Sequence, residues 1–208
     1  MEHDATPSTQ RYIAFEGVEG AGKSTVADRV AAHLEVQGHA VVRVREPGGT
    51  DVGEHIREIL LDGEHTPVPR AEAALFAAAR AHLVAEKVIP ALAAGSWVIS
   101  DRSAYSSLAY QAAGRGLALD DIRHLNDIAI GGVWPGVVVL LRTDPAIGLS
   151  RQEVGDRIGN ESDDFHRTVA DAFDALADEE PDRFLVIDAS RSLERVVVDV
   201  LDALGVTT

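Results

Sequence analysis

With 208 residues, 46% of them hydrophobic and 25% charged, the chain is sized for a single α/β domain with a sizeable core. Its 34 acidic against 19 basic side chains give a formal net charge of −15, which argues against a nucleic-acid partner. No apolar run is long enough to span a bilayer, and the lack of cysteine removes disulfide and thiolate chemistry, so the sequence reads as a soluble, cytoplasmic protein whose anionic ligands must meet a local basic pocket.

Met1 to Gln10 is polar and lacks an apolar signal core, so it is expected to be a disordered leader ahead of one domain, residues 11–208. The eight histidines are scattered without metal-ligand spacing. Tyr12 to Phe15 (YIAF) is a short β-rich run, followed by Gly17 to Ser24, GVEGAGKS, which matches the phosphate-binding pattern G-x-x-x-x-G-K-[ST]. In such a loop (Gly17, Val18, Glu19, Gly20, Ala21, Gly22, Lys23, Ser24 and Thr25) backbone N–H groups cradle phosphate oxygens. Lys23 reaches the β/γ-phosphates and Ser24 offers its hydroxyl to Mg²⁺. A chance glycine-rich turn is the alternative; against it, Val26, Val30 and Leu34 recur at helical spacing, giving the strand, loop and helix the chemistry needs.

Gly38 stops that helix, and Ala40 to Val44 reads as a second strand ending in the turn Arg45 to Thr50, REPGGT, which contains Pro47. Val52, Ile56, Ile59 and Leu60 make a short helix, broken by Asp62-Gly63 and by Pro67 and Pro69. An alanine-rich helix is expected from about Ala71 to Ala94, with Pro90 as a late kink. Trp97 to Ser100 is a third strand running into Asp101-Arg102. Helices follow over Ser106–Ala113 and Asp120–Ile130, and Val137 to Leu141 is a strand buried on both faces. Asp144-Pro145 starts another helix with a cap and a proline at its first position. Gly155 to Asp164 is polar and is expected to be mobile, Phe165–Ala177 is helical, Phe184–Ile187 is a fifth strand and Leu193–Leu204 a final helix. The alternation implies an α/β fold, a mainly parallel five-stranded sheet with helices on both faces and ligands at the strands' C-terminal ends.

The segments FEGVEGAGKST (Phe15 to Thr25), REPGGT, LFAAAR (Leu75 to Arg80), SDRSAYSSLAYQ (Ser100 to Gln111) and DRI (Asp156 to Ile158) together resemble the thymidylate kinases, which are P-loop nucleoside monophosphate kinases. The resemblance implies transfer of a phosphoryl group from ATP, with Mg²⁺, to dTMP; the alternatives are a P-loop kinase for another nucleoside monophosphate and a nucleotide-binding module with little turnover. It also implies a mobile lid near residues 150–164 and a homodimer. By the same resemblance Phe76 stacks on thymine and Arg80 donates to its O4, though Phe76 in the core and Arg80 in solvent is the plainer reading of that helix. Arg102 grips the acceptor phosphate and Asp101 holds Mg²⁺ through water; the alternative is Asp101 as a helix cap with Arg102 as its ion-pair partner. Glu19 accepts from the sugar 3′-hydroxyl, a solvated loop acid being the alternative, while Ser106 and Ser107 line the pyrimidine edge and Tyr110 crowds the sugar's 2′ carbon, each of these three reading equally as an ordinary helix residue. The Asp188-Ala189-Ser190 turn approaches adenine.

The chain departs from the family pattern in places. Ser103 stands where an aromatic or histidine is usual, Gln152 to Gly155 adds no basic residue to the lid, and Gly159 replaces a common glutamate. No arginine lies in the phosphate loop, so the charge of the transferring group is expected to rest on Lys23, Mg²⁺, Arg151 and Arg157.

Overall fold

A computed structural model describes residues 8–62, 66–151 and 156–206. The five apolar runs form one parallel sheet of order β2-β3-β1-β4-β5, with β1 Tyr12–Glu16, β2 Val41–Arg45, β3 Trp97–Asp101, β4 Val137–Arg142 and β5 Phe184–Asp188. The central strand β1 is buried along its whole length and pairs Phe15 with Asp101 on one side and Val139 on the other. Its alternate side chains feed two cores, as the two-residue period of a strand requires. Ile13 and Phe15 pack with Val30, Leu34, Val169, Phe173 and Val200, and Tyr12 packs with Val84, Val88 and Ile130. Each such fully buried apolar side chain contributes about 1.5–3 kcal/mol.

The helices are α1 (Lys23–Val36), α2 (Asp51–Leu61), α3 (Pro69–Leu83), α4 (Ile89–Ala93), α5 (Ala104–Ser107), α6 (Leu119–Ile130), α7 (Pro145–Ser150), α8 (Asp163–Glu179) and α9 (Leu193–Leu204). Thr50, Asp144, Ser162 and Ser192 cap α2, α7, α8 and α9 through their side chains. The helix expected to run from Ala71 to Ala94 instead widens into a π-turn over Val84–Val88 before α4. Pro90 has no N–H to give, and its ring would press on the carbonyl one turn back, so the backbone loosens ahead of it. A second π-turn, Leu108–Gly114, extends α5 and carries Tyr110 and Gln111.

The expected leader lies outside the described residues up to position 7, but Thr9–Arg11 forms a 3₁₀ turn whose Thr9 carbonyl accepts from Gly136 N–H at 3.1 Å. Of the stretch expected to be mobile, Gln152 to Gly155 lies outside the described residues. In the described part of that stretch Ile158 is buried, and the Asp156 carboxylate accepts from the N–H groups of Ile158 and Gly159. Among the described residues no helix is long and apolar enough to cross a membrane.

Candidate active site

The phosphate loop, the REPGGT turn and the Asp101-Arg102 pair meet at the C-terminal edge of the sheet. Past β1 the chain turns through Gly17–Gly22 into α1, with Gly22 as N-cap in the left-handed region at φ 89°, a backbone conformation that strains any side-chain-bearing residue even with open space around it. Lys23 Nζ folds back to donate to the carbonyls of Gly17 (3.0 Å) and Val18 (2.7 Å). Burial first, then Arg102, push the Lys23 amine down to about 8 against the pull of Glu19, Asp101 and Glu16. The loop rests directly on α7. A Cβ on Gly20 would lie 1.8 Å from the Gly148 carbonyl, and one on Gly148 would lie 2.2 Å from that of Glu19, so backbone meets backbone only because both residues are glycine.

Strand β3 ends at Asp101, whose carboxylate accepts from the Ser24 hydroxyl. The next residue, Arg102, is the one non-glycine among the described residues with positive φ, at 74°. Its backbone is held there by its N–H to Phe15 O (3.0 Å) and by the Ser100 hydroxyl donating to its carbonyl (2.6 Å). The guanidinium donates to Glu19 Oε1 at 2.8 Å and to Ser106 Oγ at 3.3 Å, and stands 5.1 Å from the centre of the Tyr110 ring. The cap-and-partner alternative for Asp101 and Arg102 is therefore not the arrangement adopted: Ser103 caps α5, and Glu19 pairs Arg102. Ser103 also donates to the fully buried Glu16 at 2.7 Å, a task for a small hydroxyl that an aromatic side chain there would not perform in the same way.

Glu19 is a buried hub. It accepts from Arg102 and from the Tyr110 hydroxyl (2.6 Å), and His166 Nδ1 lies 3.4 Å away. Burial works to raise its carboxyl, but Arg102, His166, Lys23 and Tyr110 together hold it well below the usual carboxylate range. The Glu19 carboxylate beside it in turn raises His166, which is fully buried on α8. His166 did not emerge from the sequence motifs. Its signal is positional, an imidazole on the same helical stripe as Val169 and Phe173.

A cavity of about 210 Å³ opens between the REPGGT turn, α3 and the π-turn, lined by Pro47, Phe76, Arg80, Ser106, Tyr110 and Gln111. Arg80 is buried, not in solvent. It donates Nε to Glu46 Oε2 (2.5 Å), Nη1 to Ser107 Oγ (3.1 Å) and to Asn126, and Nη2 to the Ser103 carbonyl (3.1 Å). Four of the five guanidinium N–H groups are thus engaged, leaving one on Nη2. Ser107 does not line this cavity and instead holds Arg80.

A second cavity, about 650 Å³, runs along Gly20–Val26 and past Arg151, Ala189 and Arg191. The two cavities share Glu19, Ser24, Arg57, Asp101, Arg102 and Asp156. Arg57 is the cation the sequence reading passed over. It stands on α2 and donates to the Pro47 carbonyl at 2.8 Å, and only the fold brings it to this junction. Arg157 is placed elsewhere than expected: its Nε donates to Leu60 O (2.8 Å) and its Nη2 to Glu72 Oε2 (2.7 Å), so its guanidinium is committed away from the phosphate loop.

The family profile described as thymidylate kinase matches residues 15–200. This chain belongs to the thymidylate kinase family. A thymidylate kinase of Bifidobacterium longum is 50% identical over 190 residues, 89% of this chain and 92% of that protein. One from Deinococcus radiodurans is 45% identical over 197 residues, covering 93% and 96%. The crystal structure of thymidylate kinase from Ehrlichia chaffeensis superposes with a TM-score of 0.79 at 29% identity, covering 95% of this chain and all of that one. Both α/β architecture and motif set therefore belong to one family. Among the described residues no group of three or more His, Cys, Asp or Glu is arranged to hold a metal alone. The hydrogen-bonded Ser24 hydroxyl and Asp101 carboxylate at the cavity junction do fit a Mg²⁺ that draws its other ligands from phosphates and water.

Proposed function

We propose that this protein is a dTMP kinase: it moves the γ-phosphoryl group of ATP onto the 5′-phosphate of dTMP, releasing dTDP and ADP. The observation that carries the reading is the junction of the two cavities, where Arg57 and Arg102 line the wall both cavities share, with the phosphate-loop Lys23 lining the larger one beside it. The larger cavity takes ATP, its phosphates cradled by Gly17 to Thr25 with Lys23 at the β/γ end. The smaller takes dTMP, with Phe76 against the base, Tyr110 against the sugar and Glu19 near the 3′-hydroxyl. Arg80's free N–H donates to O4, and the Gln111 amide oxygen accepts from N3–H.

The attacking group is a phosphate oxygen and already an anion, so no general base is needed, and catalysis is positioning plus charge neutralisation. Arg102 and Arg57 aim the acceptor phosphate, Lys23 draws charge toward the bridging oxygen as the bond to ADP breaks, and Arg151 stands at the donor side. Mg²⁺ beside Ser24 and Asp101 would neutralise charge on the donor phosphates. A cytoplasmic location and a homodimer complete the proposal, both resting on the family resemblance. The test is coupled ADP release with dTMP, dUMP, dCMP, AMP and GMP as acceptors. Fastest turnover with dTMP supports the reading, and no acceptor-dependent ADP release would refute it.

A further inference from the structure

Helix α3 carries a third residue on the stripe of Phe76 and Arg80. Glu72 lies one turn before Phe76 and is 1% exposed. An ionised carboxylate only accepts, with about four lone-pair sites, and here all of them are filled. Oε1 accepts from Gln111 Nε2 (2.9 Å) and Arg115 Nε (3.1 Å), and Oε2 from Arg115 Nη2 (3.2 Å) and Arg157 Nη2 (2.7 Å). Burial works to raise the Glu72 carboxyl, but Arg115, Gln111 and Arg157 outweigh it and keep it ionised.

An amide can present either its NH₂ or its oxygen to a neighbour, and the network decides which. Facing a carboxylate that cannot donate, Gln111 must turn its NH₂ toward Glu72 and its oxygen away. Gln111 lines the smaller cavity. An acceptor offered there suits a pyrimidine bearing N3–H, such as thymine, and opposes cytosine, whose N3 is itself an acceptor. A flipped amide would reverse that preference.

We propose that Glu72, which lines neither cavity, is the positioning residue that sets base preference by fixing the orientation of the Gln111 amide, and that Arg115 and Arg157 serve to hold it charged. The inference rests on the dTMP kinase reading given above. Buried polar groups left mispaired discriminate between ligands by orders of magnitude, whereas one methyl contact is worth far less.

The test compares kcat/KM for dTMP and dCMP in the wild-type protein, in Glu72→Gln, in Glu72→Asp and in Glu161→Gln. Glu161 meets Arg115 at 2.6 Å and has no hydrogen bond to Gln111, so its variant controls for loosening the cluster. In Glu72→Gln the ratio of dTMP to dCMP should fall about tenfold or more, with the dCMP value held or raised while the dTMP value drops. Glu161→Gln should keep the wild-type ratio. Should Glu72→Gln fail to fold, Glu72→Asp keeps the negative charge in the cluster but shortens its reach toward Gln111, and its ratio should fall in the same direction. A parallel drop for both nucleotides in folded variants means Glu72 is only structural and overturns the proposal. A wild-type protein that ignores dTMP refutes the kinase reading itself and is seen before any variant is made.

Discussion

Replacing Arg102 by alanine and by glycine separates its two burdens, side-chain charge and backbone strain. Both variants strip the guanidinium from Glu19, a carboxylate 8% exposed that keeps only the Tyr110 hydroxyl and the more distant His166. Breaking a buried pair costs about 3–5 kcal/mol, and the remaining partners bring the expected loss of stability nearer about 2–3 kcal/mol. The two variants then diverge. At φ 74° any Cβ carries a left-handed penalty of about 1–2 kcal/mol, which glycine escapes, while glycine's looser unfolded chain returns about 0.5–1 kcal/mol of that. Arg102→Gly should therefore unfold at higher urea than Arg102→Ala by about 0.5–1 kcal/mol, followed through the fluorescence of Trp97 and Trp134. In activity they should be alike. Losing a desolvated charge contact to the acceptor phosphate costs about 2–5 kcal/mol, about 30-fold to several-thousand-fold in kcat/KM for dTMP, with ATP binding little changed. Wild-type kcat/KM in Arg102→Ala would refute the assigned role, and a glycine variant less stable than the alanine one would refute the strain argument.

The Lys23 amine, pushed down to about 8, loses its proton as pH rises through that value, so kcat/KM for ATP should decline above about pH 8 and ATP binding near that pH should take up a proton, measurable by calorimetry in buffers of different ionisation enthalpy. Because the unfolded chain keeps that proton to about 10.5, this group's contribution to stability should increase with pH between those values. Lys23→Ala should weaken ATP binding and leave dTMP binding nearly intact. Gly148→Ala places a carbon 2.2 Å from the Glu19 carbonyl, so it should cost about 1–3 kcal/mol in stability and raise KM for ATP; unchanged KM would mean α7 does not shape the loop. Arg151→Ala should slow single-turnover transfer by about tenfold or more. Arg157→Ala should instead lose about 1–3 kcal/mol of stability, since Glu72 loses one charged donor but keeps Arg115 and Gln111, and stability equal to wild type would contradict that placement.

The sheet was legible because each strand is a short apolar run bounded by glycine, proline or charge, and the observed ends differ from those read in the sequence by a residue at most. The phosphate loop was legible from spacing, and the Asp101-Arg102 pair from its place at the end of a strand together with the family resemblance. The environment of those residues was not. Phe76 in the core and Arg80 in solvent was the plainer reading of their helix, and only burial placed Arg80 among Glu46, Ser103, Ser107 and Asn126. Arg57 and Gly148 looked ordinary because their significance is a tertiary approach that no local pattern encodes. Glu72, Gln111 and His166 did leave a trace, each being a polar residue on a stripe otherwise buried, and such a residue must find partners inside the protein. Arg157 was misplaced because the motif carrying it fixes its position in the chain, while its guanidinium answers to the buried Glu72.

The most direct test of the whole account is the initial rate of ADP release from Mg·ATP by the wild-type protein, measured with dTMP and dCMP at matched subsaturating concentrations. The account predicts rapid turnover with dTMP and poor turnover with dCMP, since the Arg80 donor and the Gln111 acceptor both oppose a 4-aminopyrimidine. Equal rates for the two, or ADP release that does not depend on either, would contradict it.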